Sequence, residues 1–342
     1  MKLRRAAIII AGTAVLGLGA LLFGGHMKRV AAERLLRAAY ADGTQVGFAG
    51  EADIGLLVDG KWTERRARIR QANGRRRIEG PNGPAGAALL DDGKTLWRLE
   101  PATNTATGLS PSERRRNWQL LLGNYRLRPE GEAQVAGRRA RRLALISRRG
   151  RRAALRLWID PETKVALRTD SFDADGRLVA RTILDSVDFS RPPHKDVLRV
   201  PEGWRRTWAG DSPAEKLSIE QFAAKADFTP RPPSYIPRGY AHDGLYGRTC
   251  PHGRRYAEFR YRDGLRTLSL FERHPRGPHG RGRGRGMGWR GGRGWQMDRE
   301  PAVIDQGATK SIRQRKADLM LIVTGDLPVA ELLRVLESVP EE

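Results

Sequence analysis

The chain has 342 residues, with 63 Lys and Arg against 39 Asp and Glu, for a net charge of +24. That length points to roughly two domains, and the charge selects anionic partners: nucleic acid, acidic lipid headgroups, lipopolysaccharide phosphates or an acidic protein. A single cysteine, Cys250, excludes an internal disulfide.

Lys2, Arg4 and Arg5 precede residues 6–25, which carry no charge. The run is about as long as a helix that crosses a bilayer and longer than an ordinary signal core. It is expected to be an uncleaved anchor at residues 1–29, although Val30-Ala31-Ala32 is a passable cleavage site. Val30 to Ala41 reads as a short amphipathic helix, with Leu35 and Ala38 opposite Arg34 and Arg37.

Strands are expected at Val46 and Phe48, Ile54 to Val58, Trp62 to Ile69, and Thr95 to Leu99. Asp59-Gly60, Asn73-Gly74 and Asp92-Gly93 supply hairpin turns between them. Ser110, Pro111 and Glu113 predict a helix start, and Gly123 its end, with Trp118, Leu121 and Leu122 on the apolar face.

The stretch from Arg142 to Phe189 is the plainest signal in the chain. Leu155, Leu157 and Ile159 alternate with polar positions, Asp160-Pro161-Glu162-Thr163 turns, and Val165, Leu167 and Thr169 resume. Asp173-Ala174-Asp175-Gly176 turns again before Leu178 to Phe189. Period-two alternation broken by Asp, Pro and Gly predicts an antiparallel meander with one apolar face and one cationic face.

A break follows at 191–237. Ser218 to Ala226 predicts a helix with Ser218 and Gln221 as a capping box, and Pro230, Pro232, Pro233 and Pro237 a stiff linker. Domains are expected at 30–209 and 233–342, with 210–232 between them. The second holds a hairpin, Tyr256 to Arg262, Asp263-Gly264, then Leu265 to Phe271. A strand from Asp318 to Thr324 and a helix from Leu327 to Val339, capped by Asp326, end it. Pro275 to Gly294 is an Arg/Gly tract expected to be a disordered loop.

Catalytic constellations are absent from the sequence: no nucleophile elbow, HExxH, Walker A or paired-cysteine metal site. Gly286, Gly288 and Gly291 match a dinucleotide pattern but lie inside the Arg/Gly tract, with no strand before them. His242, Cys250 and His252 lack a second ligand pair. The expectation is a non-enzymatic chain with no cofactor and no metal. Trp289 and Trp295 give the Arg/Gly tract the composition of an RNA-stacking segment, against which stand an export-like N-terminus and the lack of any RNA-binding fold signature. Trp62, Trp97, Trp118 and Trp158 are either core or the lining of an apolar cleft for an acyl chain.

The segment from Arg141 to Phe189 resembles the RseB/MucB proteins. So do Pro233-Ser234-Tyr235-Ile236-Pro237-Arg238-Gly239-Tyr240, Tyr261-Arg262-Asp263-Gly264-Leu265 with Leu268 to Phe271, and Val323-Thr324-Gly325-Asp326-Leu327-Pro328. The resemblance covers roughly residues 30 to 340. It implies an α+β fold: an antiparallel half-barrel sheet with covering helices, similar to the lipoprotein carriers LolA and LolB, plus a smaller C-terminal α/β domain. It also implies a periplasmic regulator whose first domain senses acyl chains of lipoprotein or lipopolysaccharide and whose second contacts an anti-sigma factor; the expected anchor at residues 1–29, a departure from the family's plain signal, would tether it to the membrane. The alternatives are a lipid or lipoprotein carrier without a regulatory role, and an RNA-binding protein acting through Arg281 to Arg293.

Overall fold

A computed structural model describes residues 29–81, 86–111, 117–208, 214–250, 253–274, 301–305 and 309–341. The expected anchor and the Arg/Gly tract, with Trp289 and Trp295, lie outside them. No described helix is long and apolar enough to cross a membrane.

The described residues begin with α1 (29–45), five residues longer than the apolar pattern predicts. Five strands follow: β1 (Phe48–Val58), β2 (Lys61–Ala72), β3 (Arg75–Glu79), β4 (Ala88–Asp91) and β5 (Thr95–Glu100). The Asp-Gly and Asn-Gly signals hold where they were expected. Asp59 and Asn73 sit at φ 49° with Gly60 and Gly74 at 73° and 69°, the left-handed pair that a tight hairpin demands. Strands β3 and β4 escape the sequence reading because one opens on three Arg and the other is four residues long.

The chain continues through β6 (Thr105–Pro111) and α2 (Trp118–Asn124). The expected helix start at Ser110 is a correction. Ser110 and Pro111 close strand β6, and the helix is capped by Asn117, whose side chain accepts from the Leu120 N–H. Glu113 falls outside the described residues. Helix α2 ends at Asn124, not at Gly123, because Tyr125 turns extended and starts β7 (Tyr125–Val135). The meander then runs β8 (Arg138–Ser147), β9 (Ala153–Ile159), β10 (Ala166–Phe172) and β11 (Leu178–Asp188), with β12 (Arg205–Trp208) last.

These twelve strands form one open sheet in the order β12-β6-β5-β4-β3-β2-β1-β11-β10-β9-β8-β7. Every neighbouring pair is antiparallel except β12 with β6. Three apolar clusters fill the space on this sheet. Leu36, Leu121, Leu143 and Leu155 gather where α1 and α2 cover β7 to β9. Phe48, Ile69, Trp158 and Leu167 form the second, and Leu90, Trp97, Leu99 and Val200 the third.

The face expected to be purely cationic is laced with carboxylates. Asp170 lies between Arg168 and Arg181 at 2.7 and 3.0 Å. Glu130 takes Arg156 at 3.1 Å, and Glu79 takes Arg70 and Arg77 at 2.9 Å each. Much of the excess positive charge of this sheet is therefore neutralised within it.

A second, smaller sheet follows, made of β13 (Glu215–Leu217), β14 (Ala241–Thr249), β15 (Arg255–Arg262), β16 (Thr267–Arg273), β17 (Ala302–Asp305), β18 (Lys310–Lys316) and β19 (Leu319–Gly325). Its order is β13-β14-β15-β16-β19-β18-β17, and α3 (Ile219–Ala223) and α4 (Val329–Glu337) pack on it through Phe222, Leu332, Val335 and Leu336. Residues 215–223, expected within a linker, thus supply an edge strand and a helix to this sheet. The Ser218–Gln221 capping box forms as the sequence predicts. Asp326 does not cap α4: Pro328 holds the N-cap position, and the Asp326 carboxylate is engaged elsewhere.

Candidate functional site

Two elements that lie far apart in sequence meet where the sheets join. One is the end of α2 with the first residue of β7, and the other is the tight turn between β15 and β16. The Asp263 side chain folds back on its own turn, Oδ1 accepting from the Leu265 and Arg266 N–H groups at 2.8 and 2.7 Å. That leaves Oδ2 facing away from the turn, where the Tyr125 hydroxyl donates to it at 2.5 Å. Gly264 sits at φ +96°, and a Cβ there would lie 2.5 Å from the Leu121 backbone. The turn therefore docks on α2 at backbone contact distance, a fit open only to glycine.

Polar groups complete the seam. Asn124 Nδ2 donates to the carbonyls of Gly239 and Asp263 at 2.8 Å each, while Arg149 Nη2 donates to Asn124 Oδ1 at 2.9 Å. Arg266 reaches Asp326 at 2.7 Å and the Phe172 carbonyl at 3.0 Å. Asp326 Oδ1 accepts from the Ala174 N–H at 3.0 Å, and Lys310 lies 3.7 Å from Asp175.

Burial, and next the Asp263 charge, push the Tyr125 hydroxyl far above the usual phenol range. Burial likewise raises Tyr240, the Asp263 charge adding to it. For Asp326, burial raises the carboxyl in spite of Arg266 and the Ala174 N–H. Burial opposes the Arg266 charge, but Asp326 and its neighbours outweigh it and the pKa rises. The Tyr125–Asp263 pair at its centre is buried, and an unpaired member there would be costly.

Helix α2 serves two structures at once. Leu121, fully buried, belongs to the apolar cluster beneath α1 and α2, and Leu265 from the turn packs against the same cluster. Trp118 meets Tyr40 edge-on at 5.7 Å, with the Arg37 guanidinium 4.8 Å above its ring. Movement of α2 out of the first sheet would also withdraw Leu121, Asn124 and Tyr125 from the second.

The four tryptophans occupy four places. Trp62 is exposed on the β1–β2 hairpin, and Trp97 stacks near Trp208 at 5.7 Å with its indole N–H donating to Asp92 at 2.8 Å. Burial alone would raise the Asp92 pKa, but bonds from the Thr95 and Lys94 N–H groups and from Trp97 bring it below the usual value. Trp118 lies under α1, and Trp158 is buried with Arg168 4.2 Å over its ring. Trp118, Trp158 and Trp97 belong to three different apolar clusters, and Trp62 to none of them. A cavity of about 230 Å³ lies elsewhere, lined by Ala72, Asn73, Arg75, Pro193, Lys195, Leu198 and Arg199, below the roughly 300 Å³ at which ligand pockets begin.

His242 rests against Tyr261 at 5.3 Å, Cys250 is half-buried, and His252 is outside the described residues. Among the described residues no three His, Cys, Asp or Glu side chains gather as metal ligands.

Residues 89–201, from β4 through the meander, match the MucB/RseB N-terminal domain. Over that stretch, about a third of its length, the chain is similar to the MucB/RseB family. The MucB/RseB match ends before the second sheet, but likeness to solved structures does not. The structure of MucB in complex with MucA(peri) is similar over 90% of this chain and 98% of its own, with 21% identity and a TM-score of 0.59. The Pseudomonas aeruginosa MucA/MucB complex is 20% identical over the same shares, with a TM-score of 0.58. MucB alone is also 20% identical, with a TM-score of 0.53. No curated protein matches the chain in sequence. The MucB/RseB resemblance was legible in the meander; Tyr125, Asn124, Arg266 and Asp326 were not singled out for a junction, and Asp263-Gly264 was read only as a hairpin turn of the second domain.

Proposed function

We propose that this chain is a non-enzymatic, extracytoplasmic regulator that holds the exported segment of an anti-sigma protein, as MucB is seen with MucA(peri). The observation that carries this reading is the extent of the likeness: 90% of the chain, both sheets included, follows MucB. A seam of buried hydrogen bonds between the sheets supports a single docking body. Residues 6–25 would tether it to the membrane. Copurification with the periplasmic segment of a co-encoded single-pass anti-sigma protein tests the reading. Stable capture supports it, and failure to capture at micromolar concentrations rules it out.

The signal in this reading is an acyl chain of lipoprotein or lipopolysaccharide. The space between α1, α2 and β7 to β9 is filled by Leu36 and Leu121, so an acyl chain enters by displacing α2. Each buried methylene contributes about 0.8 kcal/mol, enough over several to compete with one short helix. Displacing α2 withdraws Leu121 from Gly264 and Tyr125 from Asp263, which passes the event to the second sheet. A carrier that merely transports lipid would bind the acyl chain without any effect on a protein partner.

A further inference from the structure

The β1–β2 hairpin leaves the sheet it belongs to. Strand β3 joins β2 only from Arg68, opposite Glu79, and β11 pairs with β1 no further than Leu56, opposite Ala180. Among the described residues, nothing pairs with the outer edge of Lys61 to Ala67. Five large apolar side chains are exposed among the described residues, and three of them are here: Leu56 at 47%, Val58 at 49% and Trp62 at 39%.

The pairing of Leu57 with Trp62 and of Val58 with Lys61 sorts these side chains onto both faces. Gly55, Leu57 and Trp62 share one face, while Leu56 and Val58 share the other. Any Cβ at Gly55 would run into the Trp62 ring, so the indole is laid across the glycine backbone with its outer side open. Its N–H points to Glu64 at 3.4 Å. The indole is therefore held in position while still exposed.

Both faces being apolar separates the candidate occupants. A protein surface covers one face of a hairpin, whereas the interfacial layer of a bilayer surrounds it. Addition of a partner strand along β2 is opposed by Lys61, Glu64, Arg65 and Arg66 on the open edge. From Leu56 to Arg68 there are four cations, Lys61, Arg65, Arg66 and Arg68, and two carboxylates, Asp59 and Glu64. Arg66 and Arg68 are engaged by Asp185 and Glu51, while Lys61 and Arg65 form no ion pair among the described residues. Tryptophan with aliphatic side chains and free cations is the chemistry of an anionic lipid interface.

We propose that this hairpin is a lipid-contacting wedge that inserts Leu56, Val58 and Trp62 into the interface of an anionic bilayer, with Lys61 and Arg65 at the headgroup phosphates. The inference draws on the proposed tether only for proximity, since a chain anchored through residues 6–25 keeps the hairpin within reach of the surface.

The test uses the full chain in nanodiscs of phosphatidylcholine, with and without phosphatidylglycerol, carrying lipids brominated high on the acyl chains. Part of the tryptophan emission should be quenched, more so with phosphatidylglycerol and less so in high salt. That part should vanish in Trp62→Phe and shrink in Leu56→Ser/Val58→Ser. Added from solution to preformed anionic vesicles, the double variant should partition about 10-fold more weakly. Quenching unchanged by Trp62→Phe overturns the proposal. So does loss of anti-sigma capture in these variants with quenching intact, which would make the hairpin a protein-docking loop. Alkaline carbonate extraction reads the tether separately: a chain washed from the bilayer loses the tether, and the vesicle titration still decides the hairpin.

Discussion

The Tyr125 hydroxyl and the Asp263 carboxylate, 138 positions apart, meet at 2.5 Å where the two sheets join. Both residues are buried, at 2% and 4% exposure, so neither finds water if the other is removed. Tyr125→Phe leaves Asp263 Oδ2 without its donor and should cost about 1–3 kcal/mol. Urea unfolding followed by both sheets' signals measures it. A variant as stable as the parent would mean that the bond is replaced by solvent.

Gly264→Ala places a Cβ against the Leu121 backbone at a φ of +96°, so backbone strain and overlap act together. Strain of this kind costs about 1–3 kcal/mol before any overlap. The turn should lift off α2, raising the radius of gyration in solution scattering. Scattering identical to that of the parent chain would contradict the docking described.

Glu272 is fully buried in the second sheet, and among the described residues the Arg231 backbone N–H donates to it at 2.9 Å. Burial raises its pKa from 4.5 to about 7, against the pull of Arg231. A folded value above the unfolded one means that its contribution is complete below about pH 4.5 and is lost as pH climbs through about 7. The shift corresponds to about 3 kcal/mol between these limits. Glu272→Gln should flatten the stability of the second sheet between pH 5 and 8, as read by thermal unfolding. An unaltered slope assigns the pH dependence to another group.

Asp170 behaves in the opposite sense. Burial raises its pKa, but the bonds from Arg168 and Arg181 outweigh that and bring it below the ordinary value. Its contribution is present above the unfolded pKa and is lost as pH falls through the depressed folded one. Asp170→Asn should remove part of the acid sensitivity of the first sheet and lower its stability at pH 7. An acid limb that does not move in the variant would contradict this assignment.

Some of this structure was legible in the sequence because its causes are local. Asp59-Gly60 and Asn73-Gly74 mark turns whatever surrounds them, and Ser218 with Gln221 closes a capping box within four residues. The meander from Arg142 to Phe189 carries its period in the alternation itself. The misreadings share a cause too. Ser110-Pro111 has the composition of a helix start, yet its backbone pairs with Leu96 and Thr95 across the sheet. Asp326 stands where a cap would stand, but its carboxylate is taken by Ala174 and Arg266. Arginine-rich strands looked like one cationic face because Asp170 and Glu130 reveal their role only when neighbouring strands lie side by side. The junction was hidden for the same reason: Tyr125, Asn124 and Asp263 carry no mark of one another until the chain has folded.

The affinity for the periplasmic anti-sigma segment, measured by calorimetry with and without a diacylated peptide, tests the central claim most directly. The account predicts binding that weakens when the lipid is present and that Gly264→Ala weakens in its absence. An affinity indifferent to both, or no binding at all, would contradict it.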